Sequence, residues 1–448
     1  MSTRSPSAIT RSILADVFGP IGTRPFSVRL WDGTVEPAGD PDPPFTLIVR
    51  RAGALRRMLL PPSELGLAES YLRDDFDIEG NVEAAAGIVD VVTARVRNPV
   101  QVMRLLPKLL ALPNDDLPPE LRSLKREVDL SGDQHSLDRD AAAIRAHYDV
   151  GNDFYALWLD ERMVYSCAYF PTGTENLDTA QEEKLDLICR KLRLQPGERL
   201  LDIGCGWGAL VRHAAEHYGV HALGITLSEA QAAVARERTD LAGLGDRCRV
   251  EVQDYRTLEG VTFDKVVSVG MYEHVGRSHM PVYFDRVRQL TRPGGLFLNH
   301  GIVTGPIQFS GLQQWAMFRL WGEGGFVQKY VFPDGDLLTP GDLLGFAEHA
   351  GFETRDLENL REHYAQTLRH WVRRLEDHHA EAVQMVGEQT YRVWRLYMSV
   401  YARAFVTARV GICQVLFSNT VADGVANLPR TREDIYRKQE QPVAVYSS

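Results

Sequence analysis

The sequence predicts an α/β protein with a doubly wound parallel sheet, helical insertions and a smaller N-terminal α+β domain. Three observations lead to this fold class. Strand-like apolar runs alternate with helical stretches from about Gln195 to Val303, a glycine-rich turn follows the first run, and a polar, proline-containing stretch precedes the whole region. The composition is that of a folded protein, since 44% of the 448 residues are hydrophobic and 25% are charged.

The alternating region contains five apolar runs separated by stretches with helical spacing, such as SEAQAAVARERTDLAG. The runs read ERLLDI, VHALGIT, CRVEVQD, FDKVVSVG and GLFLNHGIV. A strongly helical zone then extends from Glu362 to about Gln414, and the strand-like QVLFSN follows it. Alternation of strand and helix at this period is typical of a doubly wound parallel sheet.

The chain divides into three parts by composition. Residues 1–113 mix short apolar runs with Pro and Gly, and within them Phe45–Arg51 has the pattern of a strand and Val82–Ala94 that of a helix. Residues 114–140 are polar and contain prolines, as linkers do. We therefore expect an accessory domain, a linker in residues 114–140 and a main domain in residues 141–448.

The charge balance excludes some classes of protein. The 50 Lys and Arg residues against 60 Asp and Glu residues give a net charge of −10, which argues against a protein that coats nucleic acid. No apolar run approaches the roughly 18 residues of a spanning helix. The first residues lack the apolar core of a signal peptide, so we expect a soluble, cytoplasmic protein.

The cysteines and histidines point to neither disulfides nor metal. The five cysteines are scattered and form no C-x-x-C pair, so we expect reduced thiols. A helical stretch near the C-terminus holds four histidines, His363, His370, His378 and His379. Their spacing is not that of zinc ligands, and no metal site is predicted.

The most distinctive motif is LLDIGCGWG, in which an apolar run ends near Asp202 and is followed by Gly204, Gly206 and Gly208. Glycines at such a point allow a tight turn and a close approach of the backbone to a ligand at the carboxyl end of the strand. The spacing differs from the G-x-G-x-x-G of dinucleotide-binding folds. With its acidic residue it resembles the S-adenosylmethionine loop of class I methyltransferases, so S-adenosylmethionine is the expected cofactor.

Polar residues also follow the next two strand-like runs. Thr226 and Gln231 come after the second run and offer a hydroxyl and an amide to a ribose diol. Asp254 and Tyr255 come after the third run and offer a carboxylate and an aromatic face to adenine. Each could instead be an ordinary cap or turn residue, but ligands of open α/β sheets bind at consecutive strand ends.

Nine segments occur in a fixed order between about Ala146 and Asn419, and several are long enough to be specific. They read AHYDVGND, YSCAY, LLDIGCGWG, ITLSEAQ, QDYR, SVGMYEHVG, LNHGI, YVFPDG and HYAQTL. Together they resemble the cyclopropane-fatty-acyl-phospholipid synthases and the related mycolic acid methyltransferases. The N-terminal segment GLAESYLRDDFDIEG is similar to the extra domain of the full-length synthases, which makes residues 1–113 a candidate lipid-docking domain.

This resemblance implies a Rossmann-like methyltransferase fold and transfer of a methyl group from S-adenosylmethionine to the double bond of an unsaturated phospholipid acyl chain. An alkene is a weak nucleophile, so the reaction needs a dry pocket, stabilisation of a carbocation and a base that deprotonates the new methyl group. The resemblance also implies cofactor contacts from Tyr165 and Ser166. It implies a bound bicarbonate ion as the base, held by Cys167, Glu273, His300, the backbone of Ile302 and Tyr364.

Residue chemistry alone leaves alternatives open. Cys167 could be a small buried hydrophobic residue, Glu273 a helix cap and His300 a core histidine. The retained Cys, Glu, His and Tyr set favours a cyclopropane product. Loss of a different proton would instead give a methylene branch, which a partner reductase would convert to a methyl branch. A lipid carrier without activity and a small-molecule methyltransferase are the remaining classes.

Two departures from the family stand out. The usual His-Thr-Ile is His300-Gly301-Ile302 here, which bears on how the ion is positioned. The segment FSGLQQWAMFRLWGEGGF, between His300 and Tyr330, adds length that can reshape the acyl channel. Aromatic residues expected near the pocket include some from this segment: Tyr165, Tyr169, Phe170, Trp315, Phe318 and Trp321.

The stretch Ala94–Pro113 carries Arg95, Arg97, Arg104 and Lys108 and no acidic residue. Cations interleaved with Leu, Val and Met suit a helix at the surface of an anionic membrane. The alternative is a helix docked on its own domain, since two prolines interrupt the stretch. We expect transient contact with the inner face of the membrane, an unsaturated phospholipid as partner, a homodimer, and no nucleic acid.

Overall fold

Two sheets organise the computed structural model, which describes residues 5–60, 63–96, 99–124, 136, 139–140, 142, 150–306, 325–333, 335–421, 423–424 and 428–436. The chain separates into two units. The first contains Met1–Ser131, Pro306–Asp334 and Leu368–Arg409, and the second contains Gly132–Gly305, Gly335–Thr367 and Val410–Ser448. A four-stranded sheet lies in the first unit and a seven-stranded sheet in the second.

Several helices begin at residues whose side chains cap them. Ser5, Ser63, Asn176, Ser228 and Thr339 each accept a hydrogen bond from a backbone N–H of the first turn. Such a bond satisfies a donor that has no partner within the helix. In chain order the helices are α1 (Pro6–Phe18), α2 (Ala54–Leu59), α3 (Glu64–Leu72), α4 (Val82–Ala85), α5 (Ile88–Val96), α6 (Pro99–Leu110), α7 (Pro119–Arg122), α8 (Asn152–Ala156), α9 (Leu177–Leu192), α10 (Ala209–Tyr218), α11 (Glu229–Leu241), α12 (Met280–Leu290), α13 (Phe326–Tyr330), α14 (Pro340–His349), α15 (Arg361–Asp377), α16 (His379–Val386), α17 (Glu388–Val406) and α18 (Glu433–Tyr436).

The strands form one sheet in each unit. In chain order they are β1 (Ser27–Arg29), β2 (Val35–Glu36), β3 (Phe45–Val49), β4 (Phe76–Gly80), β5 (Arg199–Ile203), β6 (His221–Thr226), β7 (Cys248–Val252), β8 (Phe263–Val269), β9 (Thr291–Thr304), β10 (Glu353–Asn359) and β11 (Val410–Ser418). The orders are β2-β1-β3-β4 and β10-β11-β9-β8-β5-β6-β7. Strands β5 to β9 pair in parallel, whereas β11 is antiparallel to β9 and β10. The predicted doubly wound α/β sheet is confirmed, and its order reverses between β5 and β8, where such sheets bind ligands.

Most predicted elements are present at their expected positions. Each strand-like run of the alternating region is a strand, and the run that begins at Phe45 is β3. The predicted helix Val82–Ala94 is divided into α4 and α5, with Gly87 between them. Strand β10 was not predicted, because its sequence ETRDLEN contains a single apolar residue, Leu357, and lies at the edge of the sheet.

Helices α16 and α17 belong to the first unit. Arg392 of α17 gives a physical reason. Its buried guanidinium donates to the carboxylates of Asp74 and Asp77, at 2.8 and 3.1 Å, and to the carbonyl of Tyr71 at 3.0 Å. Ion pairs between such distant segments cannot be read from composition along the chain.

Apolar side chains cover both faces of the seven-stranded sheet. The neighbouring residues Leu200 and Leu201 of β5 belong to separate core clusters, as strand alternation requires. Packing on both faces holds the strand ends in place, and this positions the loops that follow them. All five cysteines are free and buried. None of the helices among the described residues is both long and apolar enough to span a membrane.

Candidate active site

The glycine-rich loop turns sharply after β5. Gly204 and Gly206 have φ values of +85° and +53°, which side chains with a Cβ rarely adopt. A Cβ on Gly206 would meet no atom within 4 Å, so the backbone at this residue faces open space. Gly208, with a φ of +75°, is the N-cap residue of α10, and a Cβ there would lie 3.0 Å from the Cβ of Ala235. The first two glycines thus shape the loop, and the third lets α10 pack closely.

A cavity lies at the carboxyl ends of β5, β6, β7 and β8, where an open α/β sheet binds its ligand. All of the predicted cofactor-binding residues except Gly208 line it: Tyr165, Ser166, Asp202, Gly204, Gly206, Thr226, Gln231, Asp254 and Tyr255. Residues that the sequence did not single out line it as well, among them Asp140, Lys184, Trp207, Arg256, Met271 and His274.

Asp202 and Gln231 present polar atoms that suit a bound ligand. Burial raises the pKa of Asp202 to about 7, and the nearby Lys184 opposes this shift. The hydroxyl of Thr226 donates to Oε1 of Gln231 at 2.9 Å. Within the described part of the chain, Oδ1 of Asp202 and Nε2 of Gln231 are buried and have no hydrogen-bond partner. Buried polar atoms of this kind are rare in folded proteins, so these two fit the amine and hydroxyl groups of a nucleoside cofactor.

Asp254 is held in place by its own loop. Its Oδ1 accepts hydrogen bonds from the backbone N–H and Nε of Arg256, at 2.8 and 3.0 Å, and its Oδ2 lies 2.7 Å from Nη2 of the same arginine. Asp140 also accepts from Arg256, at 3.0 Å. The carboxylate that was expected to meet an exocyclic amine is therefore rigidly oriented at the rim of the cavity.

Lys184 is the clearest functional candidate that the sequence did not single out. It lies on α9, is buried, and donates from Nζ to Oγ of Ser166 at 2.7 Å. Burial lowers its pKa to about 8, and the carboxylates of Asp160 and Asp202 oppose this shift. The signal was present, because a lysine occupies an apolar position of an amphipathic helix, next to Leu185.

A second polar cluster lies beyond β8. Glu273 is in the short 3-10 turn Tyr272–His274, and its Oε1 accepts a hydrogen bond from the backbone N–H of Ile302 at 2.8 Å. This N–H was expected to hold the anion, and in the structure it holds Glu273. Burial raises the pKa of Glu273 to about 7, while the hydrogen bond from Ile302 opposes the shift. Among the described residues, its Oε2 is buried without a partner.

Cys167 and Tyr364 meet at a backbone carbonyl. The thiol of Cys167 donates to the carbonyls of Ala168 at 3.2 Å and Leu360 at 3.8 Å. The N–H of Tyr364 donates to the same Leu360 carbonyl at 3.1 Å, and the N–H of Leu360 donates to Ile412 at 2.9 Å. Burial raises the pKa of Cys167 well above its usual range, so the thiol stays protonated and acts as a donor.

His300 completes this group of predicted catalytic residues. It lies in β9, two residues before Ile302, and is buried. Burial, together with the charges of Lys184 and Lys191, lowers its pKa well below the usual value, so its imidazole is neutral. Nε2 has no hydrogen-bond partner in the described ranges. Glu273 thus contacts Ile302, whereas Cys167 and the backbone of Tyr364 share the Leu360 carbonyl. The residues that line the cavity do not include these four or His300.

Some expected site residues lie outside the described residues. These are Ala146 to Asp149 of the AHYDVGND motif and the aromatic residues Trp315, Phe318 and Trp321. Asn152 of the same motif is described, and its Oδ1 accepts a hydrogen bond from Nε1 of Trp207 at 2.8 Å. The motif therefore fixes a tryptophan of the glycine loop, a role that spacing alone did not suggest.

The fold and the cavity define a class of protein, the S-adenosylmethionine-dependent methyltransferases. Comparison with protein families identifies the family within this class. The family described as mycolic acid cyclopropane synthetase matches residues 135–415, and a domain of unknown function matches residues 13–99. The chain therefore belongs to the mycolic acid cyclopropane synthetase family, whose members include enzymes that methylate lipid alkene chains with S-adenosylmethionine.

Individual relatives agree with this assignment. A probable fatty acid methyltransferase of Pseudomonas putida is 39% identical over 414 residues, which cover 92% of this chain and 96% of that protein. The cyclopropane-fatty-acyl-phospholipid synthase of Escherichia coli strain K12 is 36% identical over 281 residues, 63% of this chain and 69% of that protein. The solved structure of the mycolic acid cyclopropane synthase CmaA1 complexed with SAH and CTAB is 31% identical, with a TM-score of 0.58 over 62% of this chain and 98% of that one.

Proposed function

We propose that this methyltransferase acts on the double bond of an unsaturated phospholipid acyl chain and produces a cyclopropane, with a bound bicarbonate ion as the base. The unpartnered buried polar atoms of Glu273 and His300 are the observation that carries this proposal. Glu273 and His300 each present a buried polar atom without a partner among the described residues, as expected beside a small polar guest. A carbocation also requires surroundings that exclude water, and both side chains are buried.

The residues that line the cavity have a different role from Glu273 and His300. S-adenosylmethionine, when bound, supplies an electrophilic methyl group. Asp202, Gln231 and the open backbone at Gly206 would hold it against the ends of β5 and β6. Glu273 can hold a proton at Oε2 near neutral pH, because its pKa is raised to about 7. Bicarbonate, when bound, would supply a basic oxygen, and Glu273 and His300 would hold it.

The reaction can be tested with [methyl-13C]-S-adenosylmethionine and vesicles of defined monounsaturated phospholipids, followed by NMR of the extracted lipid. We expect shielded ring protons. Vinylic protons would show the alternative, a methylene branch that a partner reductase converts to a methyl branch, and this outcome would overturn the cyclopropane. Cofactor binding without consumption would overturn the enzymatic proposal as a whole.

The role of Glu273 and the role of the bicarbonate ion are tested separately. Glu273→Gln should reduce turnover about 100-fold or more, since general acid–base groups contribute roughly 10²–10⁴-fold. Glu259→Gln is the matched control, because Glu259 is exposed. Removal of dissolved carbon dioxide should lower wild-type turnover, and added bicarbonate should restore it. Unchanged turnover in bicarbonate-free buffer would refute the ion while leaving the methyl transfer intact.

We also propose that α6 contacts an anionic membrane. One side of this helix is packed within the first unit, where Leu105 and Leu109 are buried. Another side leaves Val100 and Met103 65% and 67% exposed, and Leu110 is exposed as well. An amphipathic helix with an exposed apolar side fits the interface of a bilayer that holds the substrate.

Charge at α6 favours anionic lipid as the occupant. Arg104 is 70% exposed, and Lys108 donates to Oγ of Ser12 at 2.6 Å. Both cations pair with the single carboxylate of Asp16, Arg104 at 3.1 Å, so the two cations carry one charge more than their shared acidic partner. The helix itself contains no acidic residue. Under this proposal, the interfacial helix and the docked helix, which the sequence offered as alternatives, describe two sides of one element.

The membrane proposal can be tested by flotation with vesicles of phosphatidylglycerol or phosphatidylcholine. We expect binding to phosphatidylglycerol and a clear loss of it in Met103→Glu. Leu241→Glu is the control, because Leu241 is 80% exposed on α11, in the other unit. If Met103→Glu floats like the wild type but sediments as a smaller species, a second copy of the chain covers α6 and the membrane proposal is refuted.

A further inference from the structure

A row of polar side chains crosses three neighbouring strands behind His300. His300 of β9 is directly opposite Gln414 of β11, and Gln414 is directly opposite Glu358 of β10. Lys191 of α9 reaches two members of this row. His300, Gln414 and Lys191 are each only 1% exposed, so solvent does not compete for their hydrogen bonds. The hydrogen bonds within the row are therefore the ones that bear on which protons these groups carry.

The amide of Gln414 links Lys191 to His300. Nζ of Lys191 donates to Oε1 of Gln414 at 2.7 Å and also to the carboxylate of Glu358. Nε2 of Gln414 lies 3.0 Å from Nδ1 of His300. Burial lowers the pKa of Lys191, and the adjacent carboxylate of Glu358 opposes this shift. Lys191 thus sits as a donor between two acceptors.

The orientation of Gln414 follows from the chemistry of its neighbour. An ammonium group has donors and no acceptor, so Lys191 must face the oxygen of the Gln414 amide. The NH₂ group then faces His300, and Nδ1 of His300 must accept. A neutral imidazole whose Nδ1 accepts carries its proton on Nε2. A charged imidazolium would place two donors 3.0 Å apart inside the protein, which is unfavourable.

We propose that Lys191 and Gln414 are positioning residues that fix His300 as its Nε2–H tautomer, so that His300 acts as a hydrogen-bond donor to a bound anion and not as a base. His300 Nε2 is the atom that has no partner among the described residues. Proton removal would then fall to the anion and Glu273. This inference rests on the proposed function for its effect on turnover, whereas the tautomer is a property of the protein without substrate.

Long-range ¹H–¹⁵N correlation spectra of protein labelled at histidine report the tautomer directly. His300→Asn identifies the signal of His300 among the 13 histidines by its absence. We expect the wild type to show a protonated Nε2 and an unprotonated Nδ1. A protonated Nδ1, or a charged imidazolium at pH 7, would overturn the proposal.

Two variants test the cause. Gln414→Glu can only accept, so it should reverse the tautomer to Nδ1–H and lower turnover about 10–100-fold, as changes to such supporting groups commonly do. Lys191→Met frees the amide to rotate and should give a mixture of tautomers with a smaller loss. It also serves if Gln414→Glu does not fold. Gln289→Glu is the matched control, because Gln289 is exposed on α12.

The outcomes separate the two levels of the proposal. An Nε2–H signal that persists in both variants would show that Lys191 and Gln414 do not set the tautomer. A reversed tautomer with unchanged turnover would refute the role of His300 as a donor. If no lipid is methylated by any form of the protein, the proposed function fails, while the tautomer measurement still decides the present inference.

Discussion

Replacement of Gly301 by alanine should be strongly destabilising, because the space of the missing side chain is already filled. Gly301 lies in the middle of β9, and its φ is not positive, so the backbone itself would accept any residue. A Cβ at this position would lie 1.9 Å from Cε1 and 2.4 Å from Cδ1 of Tyr272. Carbon atoms in contact are normally about 3.5–4.0 Å apart, so the overlap is about 1.5–2 Å.

The ring of Tyr272 cannot easily move away. It is fully buried, and its hydroxyl donates to the carbonyl of Ile302 on the strand that holds Gly301. Overpacking of a core typically costs about 1–3 kcal/mol. Because this clash involves a fixed ring and adjacent backbone, we expect about 3 kcal/mol or more for Gly301→Ala. Turnover should fall as well, since Oε1 of Glu273 would lie only 3.2 Å from the new methyl group.

Denaturant-induced unfolding measures the change in free energy, and Gly345→Ala is the control. Gly345 lies in α14, a Cβ there would meet nothing within 4 Å, and alanine should gain up to about 1 kcal/mol in helix propensity. In a Tyr272→Ala background, Gly301→Ala should cost less than about 1 kcal/mol, because the clashing ring is gone. The reasoning is refuted if Gly301→Ala unfolds like the wild type, or costs the same with and without the ring.

Three further predictions concern the titrating groups and the loop. The raised pKa of Glu273 means that the folded state binds the extra proton between about pH 4.5 and 7, so stability falls as pH rises through this window. The free energy of unfolding of Glu273→Gln should therefore rise by about 3 kcal/mol relative to that of the wild type between pH 4.5 and 8. Chemical unfolding of the cofactor-free protein measures this difference, and a difference that does not change with pH would contradict the prediction. Lys184→Met should weaken the binding of S-adenosylhomocysteine, measured by calorimetry. Because Lys184 lowers the pKa of Asp202, the variant should also move the pH midpoint of binding upward. Equal midpoints in the variant and the wild type would exclude that coupling. Gly206→Ala should cost only about 1–2 kcal/mol of stability, from its positive φ, yet should lose most cofactor affinity because the methyl group enters the cavity; retained affinity would show that the loop does not approach the ligand there.

The sequence was most informative where local pattern determines structure. Strands β5, β6, β8 and β9 contain apolar runs that are largely buried, and β7 alternates the buried Cys248 and Val250 with the exposed Arg249 and Glu251, so each could be predicted from its own pattern. The glycine loop could be predicted for the same reason, because Gly204 and Gly206 form a turn with positive φ angles that few other residues adopt. Strand β10 was missed because it is polar and pairs only at the sheet edge, a property set by its partner β11.

Contacts between distant residues were beyond reach of the sequence. The sequence around Lys191 does not indicate that this lysine donates a hydrogen bond to Gln414, which lies 223 positions later. Lys184 was different, because its charge at an apolar helix position was a readable anomaly. The proposed catalytic residues could be named only through family resemblance, since they come from β9, α15 and two connecting segments. Three-dimensional proximity of this kind has no spacing rule.

The departure from His-Thr-Ile to His300-Gly301-Ile302 has a physical explanation in Tyr272. The tyrosine ring occupies the volume that a side chain at residue 301 would need, and its hydroxyl binds the Ile302 carbonyl. The N–H of Ile302 still reaches Oε1 of Glu273 at 2.8 Å. Gly301 and Tyr272 are therefore sterically coupled, since the ring fills the space of a side chain at residue 301 and its hydroxyl binds the same strand. The glycine does not loosen this part of the site, because the position of Glu273 depends on Ile302, which the ring anchors.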